Sequence, residues 1–165
     1  MFVYSFKGNN IKKAAALLLA AVLIAVSGFF LLNQSKGQKV YVRNGISYKA
    51  STPEERVAFL SQFDWDINSE PIEVREVIIP EEFDDTYSQY NQIQKEQKLD
   101  LEKYKGERVK KWTYEILNYP DYENSDGIIR ANLLILNGLV IGGDICSVEL
   151  DGFMHGFEKP AVSPQ

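Results

Sequence analysis

A thiol and an imidazole are the side chains best suited to nucleophilic chemistry, and this chain has one of each, Cys146 and His155. Within hydrogen-bond reach they would form a thiolate–imidazole pair, the basis of a Cys/His-dependent hydrolase or redox enzyme. The local pattern argues otherwise. Cys146, Val148 and Leu150 alternate along one face of a strand, which makes Cys146 a small core residue, and His155 lies in a glycine-flanked segment ordered by docking of Phe153 and Phe157. One Cys and one His cannot supply a zinc site of several nitrogen and sulfur ligands within one chain. A lone cysteine also forms no intrachain disulfide, and no cofactor is expected.

Two further groups have chemical potential. Asp121, Glu123 and Asp126 crowd one loop and would suit a calcium ion, but counting from Asp121 puts Gly127 at position seven, where the EF-hand pattern needs glycine at six. A solvated acidic turn is the simpler expectation. Lys103, Lys105, Arg108, Lys110 and Lys111, with Tyr104, Trp112 and Tyr114 among them, form a basic and aromatic stretch suited to an anionic polymer or lipid headgroups. Strand alternation would send Lys110 and Lys111 to opposite faces and divide that charge. No Gly-x-Ser-x-Gly elbow or phosphate-cradling glycine loop is present; Gly142-Gly143-Asp144 is similar to the start of a cyclic-dinucleotide synthase motif, but Ile145-Cys146 replaces its Glu-Phe.

The charge balance sets the background for these groups. Setting aside Lys7, Lys12 and Lys13, which precede or adjoin the first apolar run, 15 of the 18 basic residues face all 23 acidic ones. So acidic a domain is unsuited to general nucleic-acid binding, which phosphate attraction dominates. Residues 14–32, AAALLLAAVLIAVSGFFLL, carry no charge and at about 1.5 Å per residue approach the roughly 30 Å of a bilayer's hydrocarbon core. A cleaved signal peptide would use the same lysines and cut after Ala25-Val26-Ser27, but Phe29-Phe30-Leu31-Leu32 continues the run to spanning length and favours a signal-anchor. Residues 1–13 then form a short basic cytoplasmic tail. The basic residues near the two ends are balanced by Lys36, Lys39 and Arg43, so orientation rests on that tail, with the domain extracytoplasmic.

The elements that must position these groups follow. Residues 33–50 read as a linker with a small hairpin at Asn44-Gly45, residues 51–157 as a globular domain, and 158–165 as a tail. Thr52-Pro53-Glu54-Glu55 marks a helix start with a capping box. Ile72 to Ile79, between two prolines, reads as an edge strand. Pro80-Glu81-Glu82 opens a second helix whose apolar face is Phe83, Tyr87, Tyr90 and Ile93, and a helical turn near Asp100 to Tyr104 ends at Gly106. From Arg108 the pattern is sheet, with Ile128 to Leu136 and Leu139 to Leu150 joined by Asn137-Gly138, the strongest short-range hairpin signal. Gly142-Gly143 within the last strand marks a bulge or a close backbone approach. The expected fold is α+β: a transmembrane helix, then an antiparallel sheet of about four strands ending in a β-meander, covered by two helices on one face.

The block Glu55-Arg56-Val57-Ala58-Phe59-Leu60, Phe63-x-Trp65, Pro71-Ile72-Glu73, Ile79-Pro80-Glu81-Glu82-Phe83, Tyr104-Lys105-Gly106, Asn118-Tyr119-Pro120, Ile141-Gly142-Gly143-Asp144 and the closing Met154-His155-Gly156-Phe157, together with the opening MFVYSFK, resembles the bacterial membrane-anchored family known as domain of unknown function 4830. The resemblance places glycine where this chain has Asp64. It implies a bacterial, single-span protein and no assigned activity. The expectation is therefore a non-catalytic binding or assembly module held to the lipid bilayer, with an envelope protein or polymer as partner. A Cys146/His155 enzyme and an envelope protein binding calcium or an anionic polymer are the alternatives.

Overall fold

The computed structural model describes residues 42–43, 45–122 and 127–160. The expected membrane span, residues 14–32, lies outside them; among the described residues no helix is long and apolar enough to cross a membrane. Two short strands, β1 (Val42–Arg43) and β2 (Ile46–Ser47), pair antiparallel around Gly45, whose φ is 85°. The main sheet has five antiparallel strands in chain order: β3 (Glu73–Ile78), β4 (Arg108–Glu115), β5 (Ile129–Leu136), β6 (Leu139–Ser147) and β7 (Met154–His155). β3 is an edge strand, as its flanking prolines require. The fifth strand is the short β7, which a four-strand reading leaves as tail.

Helix α1 (Pro53–Ser61) begins as its sequence dictates: Thr52 accepts from the Glu55 backbone N–H while the Glu55 carboxylate accepts from the Thr52 N–H. Helix α2 (Asp85–Glu96) starts later than Pro80-Glu81-Glu82 suggests. Asp84 is its N-cap, accepting from the Tyr87 N–H at 2.7 Å, and Ile79 is still tied into the sheet by backbone bonds with Glu107 and Gly106. A 3-10 helix over Leu101–Tyr104 follows, capped by Asp100.

The helices lie on opposite faces of the sheet, not on one. Phe59 and Leu60 of α1 pack with Tyr114, Leu133, Ile135 and Ile145, whereas Tyr87 and Tyr90 of α2, with Leu101, pack with Val109, Leu134 and Ile141. Because neighbours along β5 alternate faces, Leu133 and Leu134 each find a separate core. Gly142 and Gly143 make the second docking possible. The register slips between Leu134 and Ile135, leaving Ile141 as the extra residue of a bulge. A Cβ on Gly142 would lie 2.9 Å from Leu101, and one on Gly143 2.1 Å from the Asn132 carbonyl oxygen. With no side chain there, the Gly143 N–H donates to the buried Gln94 side chain at 2.8 Å and the Gly143 carbonyl accepts from Gln97 at 2.8 Å. Both a bulge and a close approach are present.

The closing segment completes the first core. Phe157 is buried edge-on against Phe59 at 4.9 Å, its N–H donates to Gln97, and its carbonyl accepts from the Trp65 indole at 2.6 Å. Asp64 stands at φ 62°, a conformation glycine adopts freely, which accounts for a glycine in the resembling pattern.

Candidate binding cleft

The strand register separates the two residues of the expected nucleophilic pair. Ile145 lies opposite His155 and Cys146 opposite Met154, so His155 is on the α1 face and Cys146 on the α2 face. The His155 ring is committed: a carbonyl only accepts, so Nδ1–H donates to the Gly156 carbonyl at 2.7 Å and Nε2 accepts the Tyr119 hydroxyl at 3.1 Å. Phe153 stacks on the ring, the docking expected from sequence. Burial holds the imidazole below its ordinary pKa. The shallow cleft of about 280 Å3 beside it is lined by Ile93, Gln97 and Phe157, and both ends of the Gln97 amide are bonded within the protein.

Cys146 is half-buried, and the strand face assigned to it does not continue. β6 ends at Ser147, Val148 is exposed, and Leu150 is fully exposed. Around the thiol is a polar network not foreseen from sequence. Thr113 donates to Asn132 at 2.9 Å; Asn132 donates to Asp144 at 2.8 Å and to the Cys146 sulfur at 3.4 Å; Tyr90 of α2 donates to the other Asp144 oxygen at 2.9 Å. Burial raises the Asp144 carboxyl above the usual range, and burial with the neighbouring Asp144 pushes the Cys146 thiol up to about 11. A reactive cysteine needs the reverse, a cationic and partly open setting. The network fastens α2 to the sheet. Its only sequence signal is the Asp144 that follows the glycine pair.

In the acidic loop Asp121 occupies a turn with φ 67°, while Glu123 and Asp126 lie outside the described residues. No group of three potential ligands gathers for a metal among the described residues.

The basic stretch divides. Lys103 is exposed on the 3-10 helix, and Lys105 sits 4.6 Å above the Phe83 ring, with the α2 core. Arg108, Lys110 and Trp112 alternate onto the opposite face, away from Lys111, as strand geometry requires. These three line a cleft of about 390 Å3 together with Glu76, the Asn137-Gly138 turn and Arg56. Arg56 is the residue sequence reasoning missed. It sits in α1 between Glu55 and Val57 and is only 4% exposed. Its guanidinium lies 3.6 Å from the centre of the Trp112 ring, Nε donates to the Tyr114 hydroxyl at 2.7 Å, and Nη1 donates to the carbonyls of Ala50 and Ser51. All these partners are neutral. The carboxylate in the cleft, Glu76, bonds Arg108 at 3.3 Å on the exposed rim. The guanidinium is thus held by π-stacking and carbonyls in a poorly solvated place.

A family model described as Domain of unknown function (DUF4830) matches residues 59–145. No curated protein and no solved structure matches the chain.

Proposed function

The chain belongs to the family described as domain of unknown function 4830, and from that premise we propose that it is a bacterial, single-span membrane protein whose exported domain is a non-catalytic binding or assembly module. Residues 14–32 are its tether in the lipid bilayer of the cell membrane, residues 1–13 stay inside, and the partner is an envelope protein or polymer. The charge-free run and the basic tail before it support the tether.

The observation that carries the non-catalytic reading is the placement of Cys146 and His155 on opposite faces of one sheet. A proton cannot pass directly between side chains that a sheet separates, and each has other partners. The convergence of Arg108, Lys110 and Trp112 on one cleft, where they meet Arg56, supports an anionic partner.

Alkylation of Cys146 in the full-length protein tests this reading. The native thiol should react slowly, with an apparent pKa near 11, and reactivity should be unchanged in His155→Gln. Rapid native alkylation with an apparent pKa below about 8.5 that slows in His155→Gln would point instead to a Cys/His enzyme.

A further inference from the structure

We propose that the cleft at Arg56 is an oxyanion site, which takes a carboxylate or phosphate group on a ligand and holds it on the outer nitrogen of the guanidinium. The inference rests on the reading of the domain as a binding module and adds to it the ligand chemistry and the residue that anchors it.

A guanidinium has five N–H donors. In Arg56, Nε is spent on Tyr114 and Nη1 on the carbonyls of Ala50 and Ser51. Nη2 has no acceptor among the described residues, and Arg56 is one of the residues that line the cleft. The fixed contacts also set its direction. Trp112 covers one face of the guanidinium plane, and Tyr114 and the Ala50–Ser51 backbone hold two of its corners, leaving the third corner as the free one. Such a side chain is pre-organised: its rotamer is locked before a ligand arrives, so binding costs little further ordering.

Charge points the same way. Three ion pairs occur among the described residues, Glu73–Arg75, Lys95–Glu102 and Glu76–Arg108, and none includes Arg56, whose charge acts only at longer range on the exposed Glu54. Buried charges are ordinarily paired. The rim of the cleft adds Arg108 and Lys110 against the single carboxylate of Glu76, which faces Lys110 across the β3–β4 register, so the cleft is cationic in a chain whose net charge is -5. A group with one localised negative charge fits this setting. A cation is repelled by it, and a neutral ligand brings the buried guanidinium no close counter-charge.

The full-length protein in detergent should be titrated with inorganic phosphate and, separately, with acetate at matched ionic strength, using chloride as the control. Thermal stability and Trp112 fluorescence, recorded in a Trp65→Phe background, are the readouts. Saturable stabilisation by phosphate or by acetate, and not by chloride, is expected; which of the two saturates at lower concentration identifies the oxyanion. Lys110→Gln, on the exposed rim, should fold normally and weaken binding about threefold. Arg56→Gln should weaken it about tenfold or more. Where Arg56→Gln fails to fold, the wild-type titration and Lys110→Gln decide the matter.

Responses to phosphate and acetate that never exceed the chloride response, or a saturable response that neither variant changes, would overturn the site. If the anions fail to bind while a photoreactive group at position 110 still captures a neighbour in the membrane, the oxyanion assignment falls and the binding-module reading survives.

Discussion

At His155 the fold holds an imidazole neutral. Its Nδ1–H and its acceptor Nε2 are both engaged, and burial sets its pKa below the ordinary value near 6.5. The folded chain therefore binds that proton more weakly than the unfolded chain. The stability contributed by His155 is complete above about pH 6.5 and is lost as pH falls through the folded pKa. Melting temperatures from about pH 7.5 down to pH 5 should fall more steeply for the wild type than for His155→Gln; parallel slopes would contradict this. Asp144 acts in the other direction, since burial raises its pKa and its charged form costs stability that is relieved on acidification. Asp144 is present in both proteins, so its effect largely cancels in the comparison.

At the scale of elements, the Asn137-Gly138 turn joins sequence to fold most directly. Both residues have positive φ, 51° and 76°, as a type I′ turn requires. The turn is also packed, because a Cβ on Gly138 would lie 2.1 Å from the Ser51 hydroxyl oxygen just before α1, and the Gly138 carbonyl accepts from the Ala50 N–H. Gly138→Val should cost about 2 kcal/mol or more in chemical denaturation, and an unchanged midpoint would show that this turn is not where the hairpin and α1 are joined. The hairpin, the capping box at Thr52 and the edge strand between prolines were legible because each depends on residues close together in sequence. What was not legible depends on contacts between distant elements. The apolar run Leu133–Leu136 carried a cue to burial on both faces, since a sheet with one solvated face alternates; reading it would have placed α2 opposite α1. Asn91 and Gln94 are the buried positions of α2, and hydrophobic periodicity passes over polar residues whose partners, Leu101 and Gly143, are remote in sequence. Arg56 was missed for the same reason: a charged residue in an amphipathic helix reads as solvated until Trp112 and Tyr114 are placed beside it. Cys146 was misread because the strand ends at Ser147, short of the two apolar residues that suggested a continuous core face.

In the whole molecule, a proposed membrane tether at residues 14–32 precedes a domain whose cationic cleft stands out in a chain of net charge -5. Full-length protein should stay in the membrane pellet through alkaline carbonate extraction, and deletion of residues 1–32 should release a soluble domain. Mature protein beginning near Gly28 in the supernatant would replace the anchor with a cleaved signal peptide.

The domain is proposed to act by binding through the α1-face cleft, and site-specific photocrosslinking of the full-length protein in cells measures where its partner lies. A photoreactive residue should be placed in turn at Lys110, in the cleft, at Gln92 on the exposed side of α2, and at Met154 opposite Cys146. Adducts are expected at position 110 and should diminish in Arg56→Lys, with few or none at positions 92 and 154. Adducts confined to positions 92 or 154, or equal at all three, would rule out binding through this cleft.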